Sequence, residues 1–284
     1  MIDEFSLDSE ALASLRRAKE LQGEPRMAAL RDLILKHPDY TAAAIFAAVD
    51  LRRAYRSIVT GEGSPGLSSN IPARIVQFWD HEPPQDVVEL MQTWKTLNPA
   101  FDLIRFDDSE ATGLIERDHG DEVLSAYKRA RMPAQKADIF RLAYLATHGG
   151  IYADADDRCL APIDTFVSPR ATLVVYQESY GSIGNNFIAV APRHPVILRA
   201  LRLAVTGLNR GDHDLVWLAT GPGLLTRAFA QEWTEDMSEQ LLARTQIMSL
   251  GALQRVIGIH CPVRYKSTDR HWSRQAFGRK KRRA

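Results

Sequence analysis

Three aspartates in four residues, Asp154, Asp156 and Asp157, follow the short apolar run Ile151-Tyr152-Ala153. Carboxylates so close repel one another unless water, a basic side chain or a cation intervenes. A hard divalent ion is the natural compensation. Mg²⁺ and Mn²⁺ prefer oxygen ligands, and Mg²⁺ commonly takes only one or two carboxylates together with the phosphate oxygens of a substrate. Such an ion would also neutralise charge developing on a departing diphosphate. Alone, Asp-x-Asp is a weak signal, common in solvated acidic loops. The residues before it give this copy more weight.

Those residues read RMPAQKADIFRLAYLATHGG (131–150). Pro133 suits the first turn of a helix, where a missing N–H costs nothing. Gly149 and Gly150 suit the helix end and the turn after it. Between them Ile139, Phe140, Leu142, Ala143, Leu145 and Ala146 make the helix apolar on most of its surface, so it should be well buried. Asp138 and Arg141 lie three apart on one side of it. Burying two charged groups is costly unless they pair or meet a polar ligand.

The elements that must position these groups alternate. A strand is expected from Arg74 to Trp79, a helix over 86–99 ended by Asn98-Pro99, and a strand over 101–108. Helices follow across 109–130 and 134–147, then a strand over 151–156. Further strands are expected over 171–177 and 186–191, with a helix over 194–205. This alternation indicates a mainly parallel α/β sheet, in which ligands bind at the carboxyl ends of strands. Before it, residues 1–65 form a helical region, with Leu12, Leu15, Ala18 and Leu21 at helical spacing and an Ala-rich run from Tyr40 to Tyr55. The Gly-, Ser- and Pro-rich stretch 60–70 reads as a linker. The main domain is set at 70–275 and a basic tail at 276–284.

Composition agrees with one soluble α/β domain and an appendage. Of 284 residues, 36 are Lys or Arg and 35 are Asp or Glu, a net charge of +1, which offers no whole-protein field for nucleic acid or membrane. The two cysteines, Cys159 and Cys261, are too few and too far apart for a disulfide framework and read as free thiols of a reducing compartment. The N-terminus lacks a secretory signal, and no apolar run reaches the roughly 18–20 residues of a membrane span. A cytoplasmic protein is expected, with membrane contact at most peripheral, through the basic tail and anionic lipid headgroups.

The stretch 134–156 resembles the DXD sugar-transferase family of capsular polysaccharide synthesis proteins and initiating mannosyltransferases, with the catalytic domains of large glucosylating toxins as distant relatives. The resemblance rests on Ala134, Ala137, Asp138, Arg141, Leu145, Gly149, Gly150, Tyr152, Asp154 and Asp156. IPARIVQFWD (71–80), NNFIAVAPRHP (185–195) and TGPGLLT (220–226) are similar to flanking family segments. It implies a GT-A-like nucleotide-diphospho-sugar transferase fold and a retaining transfer from a UDP- or GDP-sugar to a carbohydrate or lipid-linked acceptor. Residue by residue it implies that Gln77, Phe78 and Trp79 line the nucleotide pocket and that Tyr152 packs near the nucleotide. It further implies that Asp138 and Arg141 bind the donor sugar, that Asn185 lies near it, and that Asp154 and Asp156 hold Mn²⁺ or Mg²⁺.

The C-terminus departs from the pattern. His271 is matched to the family's metal-site His and Trp272 to its closing aromatic, with His260 and Asp269 as alternatives. Two other classes fit parts of the signal. One is a phosphohydrolase with an Asp nucleophile, although Asp157-Arg158 stands where small residues usually follow. The other is a non-catalytic sugar-nucleotide-binding or interaction protein.

Overall fold

The computed structural model describes residues 8–54, 70–212, 215–235 and 242–268. A six-stranded sheet forms its middle, with strands β1 (Arg74–Phe78), β2 (Asp102–Phe106), β3 (Gly150–Ala153), β5 (Leu173–Gln177), β6 (Ile183–Val190) and β7 (Thr245–Ser249). Their spatial order is β2-β1-β3-β6-β5-β7. Neighbours β1 and β2, β1 and β3, and β5 and β7 are parallel, whereas β6 runs antiparallel to both β3 and β5. The sheet is therefore mixed. The expected parallel arrangement breaks at β6 because a short turn after β5 can return the chain only in the opposite direction. Strands β4 (Arg158–Cys159) and β8 (Ile257–Gly258) form a separate antiparallel pair, which the sequence reading missed along with β7.

Both faces of the sheet are covered, and alternate residues serve different layers. Ile75, Ile151, Ala153, Phe187 and Ala189 face a cluster with Trp94, Ile163, Leu253 and Ile257. Val76, Tyr152, Ile188 and Val190 face the larger helical cluster. Burial on both sides is why these strands read as nearly continuous apolar runs. The first layer contains α4 (Gln85–Leu97), whose Val87, Leu90, Met91 and Trp94 are buried at helical spacing. The second contains α5 (Asp108–His119), α6 (Asp121–Arg129), α7 (Pro133–His148), α8 (Pro195–Arg210) and α10 (Pro222–Glu235), with the short α9 (Val216–Ala219) leading into α10.

The N-terminal helices α1 (Ser9–Glu20), α2 (Gly23–Lys36) and α3 (Thr41–Ala54) add to this second layer. Ala43, Ala44, Ala47 and Ala48 are buried, and such small side chains allow α3 to lie close on α10. Its other contacts reach the β5–β6 turn. Arg52 Nε donates to Gln177 Oε1 at 2.6 Å, and Ile45 and Val49 sit directly beneath Gly181. Gly181 has φ +93° and leaves no room for a Cβ, so only glycine carries the chain over α3 there.

Candidate active site

Helix α7 and strand β3 deliver the chemistry. Pro133 occupies the first turn of α7, and Gly149, at φ 61°, ends it with its N–H bonded to the Leu145 carbonyl. A Cβ on Gly149 would stand 2.5 Å from the Pro192 nitrogen and 2.8 Å from the Val190 carbonyl oxygen. Helix and strand are thus joined as tightly as the backbone permits. Asp138 and Arg141 are each only 4% exposed, on the side of α7 that meets the acidic turn.

Arg141 is the hub. Its Nη2 lies 3.2 Å from both Asp138 Oδ1 and Asp154 Oδ1. Nη1 donates to the Asn185 carbonyl, Nε donates to the Ala137 carbonyl at 3.2 Å, and the guanidinium lies 4.4 Å from the centre of the Tyr152 ring. Asp138 is held equally firmly: Asn185 Nδ2 donates to Oδ1 at 2.8 Å and Thr220 Oγ1 to Oδ2 at 2.7 Å. Burial nonetheless raises the Asp138 pKa above the usual carboxylate value, against the pull of Arg141, Thr220 and Asn185.

The strand stops at Ala153, and residues 154–157 turn, with the Asp157 N–H on the Asp154 carbonyl at 3.1 Å. This turn is braced from behind. Trp94 Nε1 donates to the Asp157 carbonyl at 2.9 Å, and Asn186 Nδ2 donates to Asp157 Oδ2 at 2.5 Å. Tyr176 Oη in turn donates to Asn186 Oδ1. Burial pushes Asp154 up to about 6, with Arg141 opposing and Asp156 adding to the rise. Asp157 is raised well above the usual value by burial and by the charges of Asp154 and Asp156. Asp156 Oδ2 receives Tyr265 Oη at 2.7 Å and Lys266 Nζ at 2.6 Å.

These groups surround a cavity of about 210 Å³ lined by Phe78, Trp79, Arg141, Tyr152, Asp154 and Asp156 among others. Gln77, Asp138 and Asn185 are not on its wall; they lie buried behind it. Gln77 Nε2 reaches the Asp154 carbonyl at 3.4 Å. The Gln77 side-chain oxygen Oε1 and the Trp79 indole N–H are buried without a protein hydrogen bond among the described residues. Unpartnered groups of that kind call for a bound molecule or water. His271, Trp272, Asp269 and the basic tail lie outside the described residues. Of the alternatives, His260 does line the cavity, in a left-handed backbone conformation of φ 59°.

Tyr265, Lys266, Asn186, Thr220 and Trp94 were not singled out from sequence. Only Thr220 and Asn186 lay inside recognised segments; the others carried no local signal. Among the described residues, no group of three or more His, Cys, Asp and Glu side chains is arranged to hold a metal by itself. The donor chemistry still suits a hard ion, since Asp154, Asp156 and Asp157 line the cavity and offer carboxylate oxygens.

The same part of the chain matches known proteins. Residues 84–172 match the family model described as a glycosyltransferase sugar-binding region containing the DXD motif. A toxin of Photorhabdus asymbiotica is 36% identical over 131 residues, 44% of this chain and 4% of the toxin. The initiation-specific alpha-1,6-mannosyltransferase of Schizosaccharomyces pombe is 27% identical over 193 residues, 56% of this chain and 48% of the enzyme. A mannosyl phosphorylinositol ceramide synthase of Saccharomyces cerevisiae is 29% identical over 140 residues, 49% of this chain and 36% of the enzyme. The chain thus spans half or less of the length of these relatives. Among solved structures, the PaToxG glycosyltransferase superposes with a TM-score of 0.50 over 82% of this chain and 95% of its own, at 20% identity, a likeness of fold. Residues 84–172 thus match a DXD-motif glycosyltransferase sugar-binding region, and the chain is similar in sequence to fungal mannosyltransferases and to bacterial toxins. Among the described residues, no helix is long and apolar enough to cross a membrane.

Proposed function

From that kinship and the geometry around Arg141, we propose that the chain is a metal-dependent, retaining glycosyltransferase with a GT-A-like fold. It moves a sugar from a UDP- or GDP-sugar to a carbohydrate or lipid-linked acceptor. The observation that carries the reading is the buried Arg141, pinned between Asp138 and Asp154 with one face of Tyr152 beneath it, at the wall of a cavity that also presents Asp156. A cation fixed in this way stabilises charge without having to reorganise during the reaction.

The roles follow from position. Phe78 and Trp79 offer aromatic walls for the nucleotide base, and the unpartnered Trp79 N–H remains for its polar edge or for water. Asp156 and Asp154 hold Mn²⁺ or Mg²⁺, which when bound neutralises the diphosphate of the donor. Asp138 and Asn185 work from behind the wall, fixing Arg141 where it meets the sugar. No side chain is assigned as base, since the departing phosphate oxygen can accept the acceptor's proton on the retained face.

Titration of the purified protein with UDP- and GDP-sugars, with and without Mn²⁺, tests this by calorimetry. Mannose, the sugar in the names of the fungal relatives, belongs in the panel beside glucose and N-acetylglucosamine. Binding of one donor that requires the metal, lost in a folded Asp156→Ala variant, is the expected result. Unchanged donor binding and transfer by Asp156→Ala would remove the metal-ligand role.

A further inference from the structure

Part of the cavity wall comes from the last described segment. After β8 the chain passes Cys261 and Val263 and forms a short 3-10 turn, Arg264–Ser267. Several contacts fix this turn. The Arg264 N–H donates to Asp86 Oδ2 of α4 at 2.7 Å, and Val263 joins Val87, Leu90, Met91 and Ala155 in a small apolar cluster. The Tyr265 ring stands edge-on to Trp79 with 5.0 Å between ring centres. Two polar ends then converge on one oxygen of Asp156: the Tyr265 hydroxyl at 2.7 Å and the Lys266 ammonium at 2.6 Å. The ammonium also donates to the Cys261 carbonyl at 3.0 Å.

A lysine on this carboxylate occupies the electrostatic place a divalent ion would take. Both are cations seeking the same oxygen, so their binding there is mutually costly. The Lys266 side chain is 22% exposed, on a flexible four-carbon stem, so its head can swing without unfolding the turn. Lys266 lines the cavity, whose volume of about 210 Å³ is below the roughly 300–1,000 Å³ of sites that bury a sizeable ligand, so moving its head aside gives a nucleotide-sugar more room. The diphosphate that would arrive beside Asp156 carries the negative charge to which a displaced ammonium is drawn.

We propose that Lys266 is a built-in counter-ion of Asp156 that yields this carboxylate to the metal and passes to the donor's diphosphate. The inference rests on the donor-site reading above and adds a residue and an order of events to it. Empty, the site keeps its carboxylate paired. Loaded, the same lysine becomes a diphosphate-binding residue, so metal and nucleotide favour one another.

The test follows Mn²⁺ alone and then UDP or GDP in the presence of Mn²⁺, by calorimetry and by the Mn²⁺ resonance signal, on wild type, Lys266→Gln and Lys266→Arg. All three are first matched for melting temperature. Removing the competing ammonium should tighten binding of Mn²⁺ alone in Lys266→Gln by about three- to fivefold, the size of a partly exposed ion pair. The same variant should bind the nucleoside diphosphate with Mn²⁺ about tenfold more weakly, having lost a charge-assisted contact. Lys266→Arg should restore nucleotide binding. A lysine that merely props the turn would weaken both ligands together or neither, and either pattern overturns the proposal. If wild type shows metal-dependent nucleotide binding that Lys266→Gln leaves intact, only the lysine's role falls. If wild type binds no nucleotide with Mn²⁺, the donor-site reading falls and this proposal with it.

Discussion

Asp138 sets two large terms against each other, and substitution can tell which wins. Three donors converge on its carboxylate: Asn185 Nδ2, Thr220 Oγ1 and Arg141 Nη2. Asp138→Ala leaves all three without that acceptor in a region from which water is excluded. Each stranded donor costs about 1–3 kcal/mol, softened by partial relaxation and by the Asp154 that Arg141 retains, so the loss should be about 3–5 kcal/mol. That is a large part of a typical total stability of about 5–15 kcal/mol. Asp138→Asn is different. Burial outweighs the pull of Arg141 in raising the Asp138 pKa, so the charge itself gains little from being where it is. An amide can still accept from Asn185 and Arg141 through its oxygen. Its NH₂ can face Thr220, whose hydroxyl is free to turn to the Val216 carbonyl 3.4 Å away. The expected cost is about 1 kcal/mol or less. Urea unfolding followed by tryptophan fluorescence measures both variants against wild type, with equal slopes required before midpoints are compared. If Asn is as damaging as Ala, the ionic attraction dominates and the desolvation argument is wrong. If Ala costs under about 1 kcal/mol, the convergence of donors is not what holds Arg141 in place.

Two further outcomes follow from backbone and cap. His194 caps α8, with Nδ1 accepting the Val196 N–H at 3.3 Å, which requires the neutral ring, and burial pulls its pKa down to about 4. The unfolded chain therefore takes up this proton first, and stability falls between pH 6.5 and 4 by about 3 kcal/mol, then levels off. Asp154 and Asp157, with raised values, act in the opposite sense over part of this range, so the measurement is the difference in pH profile between wild type and His194→Asn, a cap that does not titrate. Identical profiles would refute the assignment. Gly149→Ala brings a Cβ to 2.5 Å from the Pro192 nitrogen at a backbone angle that L-residues avoid, so it should destabilise by about 3 kcal/mol or more, read as a fall in melting temperature; an unchanged value would refute the clash.

Much of the site could be read from the chain itself because its governing physics is local. Pro133, the apolar run of α7, the glycine pair and the strand that follows are consecutive, so helix start, helix stop and the delivery of Asp154 and Asp156 are fixed by backbone preference and burial pattern alone. Asp138 and Arg141 share a helix face by periodicity, and their pairing follows. The alternating strands and helices likewise indicated an α/β sheet. The direction of β6 was not available in this way. Its apolar residues look the same whichever way the strand runs, and only the length of the turn after Gln177, held by Arg52 and packed over Ile45 and Val49, decides it. The back and far walls of the cavity were equally hidden. Trp94 braces the acidic turn from 63 residues away, and Tyr265 reaches Asp156 from 109 residues away. Neither sits in a pattern that marks it, because a hydrogen bond between distant segments leaves no periodic trace in the sequence. The sequence by itself determined which groups can do chemistry and the local elements that carry them. Tertiary structure alone decided which of them face the cavity, which stand behind its wall, and that a lysine pairs with Asp156.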